Sequence, residues 1–455
     1  MKQEELRKLK HPKKSLEKEI KRKARRRFVK LQKERKKKKR TRVTEEALTY
    51  REFLRRYTPP NLNDLLFDDR SPFYFDEIEK RTPPKDGVIF VPKKFSLLDN
   101  EEESTNFLAD LMSLFIFPHS VEVNIDYSLT EEIDLGAQVL LDIIILEIIY
   151  FYERRKDHKE KRIKTINGRH INNQDVGKML TTVGSIDIFT NLGKSHKDII
   201  PYKLRIHERR GKKKKHLENQ KDIDTTELVD YVKECLARLN RELPPENLHD
   251  LCTVVGEILI NAEEHSSNEV RYSIGYFQEK EENGKRISIF RLVIMNFGKT
   301  IYDKFKDPDC PNREIVSKMN ELSGKFSLRK LLGISGVTEE SLWTLYALQE
   351  GVTSVSTDKF LKRGNGSIRF IESFFNLRGS KGKDLISRLN IISGSTNIQF
   401  SGEYGINERS NGDDVFKVMS FNSSGNLEEL PDKKYVRTRK FHFPGTLISA
   451  RIQFE

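Results

Sequence analysis

Cysteine is scarce in this sequence. Cys235, Cys252 and Cys310 are the only three in 455 residues, too scattered for a disulfide frame or a set of zinc ligands, which points to a reducing, cytoplasmic setting. No GxxxxGK[ST] occurs, so P-loop chemistry is disfavoured, and no HExxH or CxxC argues for a zinc enzyme. The chain also lacks a clean apolar run of about twenty residues. The best candidate, Leu135 to Phe151, carries Asp142 and Glu147 and reads as a buried helix. No charged-then-apolar leader opens the sequence, so secretion is not expected.

What is present in excess is positive charge, and it is local. The formal net charge is +14, yet residues 1–43 hold 22 Lys and Arg against 5 Asp and Glu, a net of +17, which leaves −3 for the remainder. Runs such as KRKARRR repel themselves and lack an apolar stripe, so this segment is expected to be a disordered or solvated helical extension. It is either a polyanion contact, with nucleic acid favoured over membrane, or a solubility tail.

Apolar residues make up 36% of the chain, enough for packed cores, and the length allows two or three domains. Thr44 followed by two acids suggests a helix over 44–57, and a proline-marked connecting stretch extends to Pro118. A short alternating strand then precedes a long helix beginning near Asp134. Further strands are expected at 162–166 and 202–207, with one helix over DVGKMLTTVGSIDIF between them. This gives a small α/β layer over 119–207. Its order of strand, acidic turn with Gly136 and apolar helix resembles STAS-like regulatory domains. A charged linker, 208–224, follows.

From Thr225 the apolar spacing sharpens. Leu228, Val229, Val232, Leu236 and Leu239 recur at helical intervals. A second helix follows Pro244 and Pro245 through GEILINAEEHSS, in which Glu257, Asn261 and His265 stand four residues apart along one face. The next segments read as a hairpin turning at Asn283-Gly284, whose second strand runs into Asn296-Phe297-Gly298. Downstream, Arg363 and Gly364-Asn365-Gly366 precede an apolar-periodic segment. Glycines there admit phosphate close to the backbone, and a helix start attracts anions. The chain ends in strands, LNIISG, TNIQFSGEY and PGTLISARIQF.

A helix with Glu-x-x-x-Asn-Ala-x-x-His, then a hairpin, then a glycine box, resembles the histidine-kinase-like (GHKL, Bergerat-fold) ATPases over residues 225–455. The resemblance implies an α/β (α+β sandwich) domain with helices covering one face of a mixed sheet, and ATP with Mg²⁺ as ligand. It implies that Asn261 ligates the metal, and that Glu257 orients or deprotonates the attacking water or substrate hydroxyl. Asn296 and Gly298 stand where the family has Asp-x-Gly. The amide of Asn296 can accept the adenine hydrogen bond but lacks the carboxylate's charge, so weaker binding or an altered base preference follows. Alternatively, Asn296-Phe297-Gly298 is a turn closing the strand. Gly364, Asn365 and Gly366 resemble the second glycine box, with Arg363 as a phosphate contact. Thr446, after Gly445, resembles the residue opening the last nucleotide-side strand and either bonds the base or is simply a hydroxyl at a strand start. The stretch around Trp343 resembles the mobile lid, or else supplies core anchors. His265 reads as a structural histidine.

The expected function is an intracellular ATP-binding protein coupling Mg-ATP binding or hydrolysis to a regulatory or partner-binding output. A protein serine/threonine kinase of anti-sigma type and a nucleic-acid-associated adaptor using residues 1–43 are the alternatives. A regulatory protein is the expected partner, and no membrane span is expected.

Overall fold

The computed structural model describes residues 49–82, 84–118, 121–154, 163, 165–208, 214–242, 244–264, 266–282, 284–326, 337–352, 366–378, 387–411 and 414–454. The basic extension 1–43, Thr44, His265, Arg363, Gly364 and Asn365 lie outside them. Among the described residues, 49–63 and 145–154 form one compact unit, and 64–144 with 163–454 form the other.

Helix α1 (Tyr50–Tyr57) starts later than the acid-rich sequence signal suggests. Its cap is Thr49, whose hydroxyl accepts from the Glu52 N–H while the Glu52 carboxylate accepts from the Thr49 N–H, a reciprocal capping box. Helix α2 (Pro60–Phe67) opens on Pro60, which has no N–H to leave unsatisfied there. Helix α3 (Phe75–Glu79) follows.

The stretch expected to be a connection contains the start of the α/β layer. Strand β1 (Val88–Phe90), strand β2 (Lys94–Phe95) and helix α4 (Glu101–Ile116) precede strand β3 (Glu122–Asp126), strand β4 (Glu132–Ile133), helix α5 (Leu135–Arg154) and strand β5 (Thr165–Arg169). The sheet β1-β3-β5 is parallel, and β2 pairs in parallel with β4. Parallel neighbours need long crossovers, which α4 and α5 supply. The layer therefore begins near residue 88 rather than 119. Over Leu135–Glu153, α5 is long and apolar enough to cross a membrane by length and composition, but most of it is buried. Helix α6 (Gln174–Thr182) and helix α7 (Ser185–Phe189) replace the single helix expected there. The break falls at Gly184, where a Cβ would lie 3.1 Å from the Leu180 Cα.

Strand β6 (Ile199–Glu208) leaves this layer, so a boundary at 207 does not separate the sheets. It pairs antiparallel with strand β7 (Val270–Glu282), after helix α8 (Lys214–Arg238) and helix α9 (Pro245–Glu264). Helix α8 takes in part of the expected linker. Strand β8 (Lys285–Phe297) returns from β7 with Glu282 opposite Lys285, and Gly284 takes φ +73° in the two-residue turn. Helices α10 (Ile301–Lys306), α11 (Arg313–Gly324), α12 (Glu339–Ala347) and α13 (Gly366–Arg378) come next. Strands β9 (Arg388–Phe400), β10 (Asn407–Asn411), β11 (Asp414–Val418) and β12 (Val436–Phe454) complete the chain.

The five-stranded sheet runs β6-β7-β8-β12-β9, and every neighbouring pair is antiparallel. The expected mixed sheet is thus corrected: among the described residues, parallel pairing is confined to the N-terminal layer. Phe290, Leu292 and Ile294 alternate onto one face of β8 and meet Val232 and Leu236 of α8, Ile258 and Leu259 of α9, and Phe370 and Ile371 of α13. The other face is buried too. A Cβ on Gly136 of α5 would lie 3.4 Å from Leu447, Arg388 of β9 pairs with Asp99, and Arg439 of β12 with Glu101 of α4 at 3.1 Å. Helices and strands packed in layers give the expected α/β, α+β sandwich class.

Candidate functional site

The sheet's helix-covered face ends in polar side chains. On β8 the apolar alternation through Phe290, Leu292 and Ile294 continues to Asn296, which is 1% exposed. On β12 it runs backward through Ile452, Ala450 and Ile448 to Thr446, and on β9 from Leu389 and Ile391 to Ser393. Strand register sets the three in one row: Thr446 stands opposite Asn296 and also opposite Ser393. The Ser393 and Thr446 hydroxyl oxygens are 3.0 Å apart. Ser393 Oγ also lies 3.2 Å from the Gly445 carbonyl oxygen and accepts from the Ile301 N–H at 2.9 Å. The Asn296 Nδ2 is buried and has no hydrogen-bond partner, a costly arrangement for an amide removed from water.

Two glycines permit this row. Gly298 has φ +127°, and a Cβ there would lie 2.3 Å from the Ser267 nitrogen. Gly445 has φ +147°, and its Cβ would lie 2.1 Å from the Asn296 carbonyl oxygen. No other residue type fits either close approach. Gly445-Thr446 does not open the last strand, as the sequence suggested. It lies inside β12, where register shifts between Thr438, Phe443 and Thr446 mark an irregularity that accommodates Pro444 and Gly445.

Helix α9 lies over this face. Leu251, Val254, Val255, Ile258, Leu259 and Ala262 enter the core, leaving Glu257 and Asn261 half-buried one turn apart. The Glu257 Oε2 is shielded from solvent and has no hydrogen-bond partner. Two contacts fix where α9 ends. The Ser267 N–H donates to the Phe297 carbonyl at 3.0 Å, and Glu263 in the last turn pairs with Arg271 of β7 at 2.7 Å. The helix end is thereby held beside the end of β8. Helix α13, opened by Gly366, packs along α9. The preceding Arg363, Gly364 and Asn365 lie outside the described residues.

Trp343 falls on the side of a core anchor. It is fully buried in a small cluster with Phe305, Met319 and Tyr346. Its Nε1 donates to Ser323 Oγ at 3.1 Å, and the Lys306 ammonium sits 4.1 Å above its ring.

Sequence reasoning missed Ser393 and Ser267. Neither belongs to a recognisable motif, and only strand register and the close approach at Gly298 reveal them. Among the described residues, no group of three or more His, Cys, Asp or Glu is placed to hold a metal ion. Against known proteins, the chain matches no family model, no curated protein and no solved structure.

The row of amide and hydroxyl groups offers hydrogen-bond donors and acceptors at one end of the sheet face, and α9 carries a carboxylate and an amide one turn apart.

Proposed function

We propose that this chain binds a magnesium–ATP complex in a histidine-kinase-like site and couples it to a regulatory output. The supporting observation is the placement of Asn296 opposite Thr446 on the sheet face covered by α9, which carries Glu257 and Asn261. An amide at 1% exposure with an unpartnered Nδ2 fits a ligand edge that completes its hydrogen bonding.

In this reading Asn296 and Thr446 hold the purine edge, and Gly298 lets the backbone pass close to it. Asn261 offers an oxygen to magnesium. Phosphates and water would supply the metal's remaining ligands. Magnesium would offset charge on the phosphates. Glu257, with one oxygen unpartnered, orients a water or an acceptor hydroxyl and takes its proton. The start of α13 at Gly366 offers backbone N–H groups for the phosphate end. Transfer to a protein serine or threonine is the alternative to hydrolysis.

Calorimetry with Mg-ATP tests the reading. Asn261→Ala should abolish metal-dependent binding while circular dichroism stays unchanged. Binding of wild-type strength in that variant would remove Asn261 from the site. A second reading, polyanion contact by residues 1–43, rests on their net charge of +17, from 22 basic and 5 acidic residues. A chain starting at Thr44 should then lose its salt-sensitive affinity for duplex DNA yet bind ATP as before. Full retention of nucleic-acid affinity would refute it.

A further inference from the structure

The groups that face the proposed base edge share one property: none has a fixed hydrogen-bond polarity. A carboxylate at the Asn296 position would only accept. An amide presents oxygen or nitrogen, depending on which way it is turned. Asn296 is buried at 1% exposure, and its Nδ2 makes no hydrogen bond that would hold it in one orientation.

The neighbouring hydroxyls form a relay with two settings. Ser393 accepts from the Ile301 N–H at 2.9 Å, so its oxygen is anchored from that side. Its own proton has two destinations, the Gly445 carbonyl at 3.2 Å or the Thr446 hydroxyl at 3.0 Å. With the proton on Gly445, Thr446 donates to Ser393 and turns a lone pair outward. With the proton on Thr446, the Thr446 O–H is released to donate outward. Both settings use the same heavy-atom positions.

These settings match the two kinds of purine edge. A 6-aminopurine offers a donor at position 6 and an acceptor at position 1, whereas a 6-oxopurine offers the inverse. Turning the Asn296 amide and reversing the Ser393–Thr446 relay inverts both protein groups together. We propose that the site accepts 6-oxopurine as well as 6-aminopurine nucleoside triphosphates, with Asn296, Thr446 and Ser393 as the groups that permit it. The inference rests on the nucleotide-binding reading and sharpens it into a selectivity.

ATP and ITP differ only at the ring positions in question, so they are the probes. Calorimetry on the full-length protein with magnesium should give affinities for the two within about tenfold, because no buried group is left unpaired by either. A site of fixed polarity discriminates by about 100-fold or more. Asn296→Asp should retain ATP and weaken ITP at least tenfold relative to it, since the carboxylate then faces the 6-oxo group. The wild-type ratio stands even if that variant does not fold. ATP binding with ITP weaker by about 100-fold in the wild type overturns the inference and leaves the nucleotide site intact. If neither nucleotide binds, the inference falls together with the nucleotide-binding reading.

Discussion

Arg271 and Glu263 form a buried ion pair, Nε to Oε1 at 2.7 Å, that ties the last turn of α9 to β7 two residues beyond Asn261. Arg271 is 0% exposed and also pairs with Asp224 of α8, which is 2.9 Å from His207 Nδ1. Burial alone would raise the Asp224 carboxyl. The His207 hydrogen bond and the Arg271 charge outweigh that and hold it below its usual value. A depressed acid contributes stability that is present above its unfolded-state pKa, near 3.8, and is lost as pH falls through the lower folded value.

Removing Arg271 takes the guanidinium charge away from two buried carboxylates, Asp224 and Glu263, and leaves His207 between them. Arg271→Leu should cost about 3–5 kcal/mol in urea unfolding at neutral pH. A loss below about 1 kcal/mol would mean that the network is worth no more than a surface pair.

Asp142 of α5 predicts the opposite pH trend. Burial raises its carboxyl to about 7, against hydrogen bonds from Ser185 and Gln138, and its Oδ2 has no partner. The Tyr127 phenol, raised by its own burial, completes this cluster. The folded state therefore holds the Asp142 proton more tightly than the unfolded chain does. Stability from this group is complete below 3.8 and declines as pH rises to about 7, by about 1.4 kcal/mol per unit of pKa difference. Asp142→Asn removes that dependence. Between pH 5 and 8 the wild type should lose a few kcal/mol relative to the variant. Parallel pH profiles for the two proteins would exclude the raised pKa.

On the proposed reading, Glu257 separates binding from turnover. Glu257→Gln keeps the side chain's shape but lacks a basic carboxylate, so Mg-ATP affinity should stay within about threefold while hydrolysis or transfer falls by about 100-fold or more. Affinity and turnover falling together would make Glu257 a binding group instead.

Much of the C-terminal half was legible because its elements carry local signals. The apolar spacing of α8 and α9 marks helices with one buried face, and Asn283-Gly284 marks the hairpin. Helix α4 lacks such a stripe: Ser104, Thr105 and Ser113 are buried along with Phe107, Leu111 and Phe115, so both polar and apolar positions point inward. The pairing of β6 with β7 was hidden for a different reason. Alternation assigns a strand its faces but not its partner. Pro444-Gly445 looked like a strand boundary because both residues usually interrupt pairing. Here the irregularity in β12 absorbs them, and the row of Asn296, Thr446 and Ser393 emerges only from register across three strands.

That irregularity makes the last prediction specific to Gly445. Gly284 and Gly445 both have positive φ, at +73° and +147°. At Gly284 nothing lies within 4 Å of a would-be Cβ, so Gly284→Ala should cost only the backbone term of about 1–2 kcal/mol. At Gly445 the added methyl would lie 2.1 Å from the Asn296 carbonyl oxygen and 2.9 Å from the Phe297 Cα. Both are backbone atoms of the paired strand and cannot yield as a side-chain tip can. Gly445→Ala must then push β12 away from β8 at the point where Thr446 meets Asn296. Its cost should exceed that of Gly284→Ala by about 2 kcal/mol or more, read as a lower urea midpoint at unchanged slope. Mg-ATP affinity should fall as well, because the two groups assigned to the base edge separate, whereas Gly284→Ala should bind normally. Equal stability losses at the two glycines would show that the strands have room to part. A stability loss at Gly445 with unchanged ATP affinity would place the base edge away from Thr446 and Asn296.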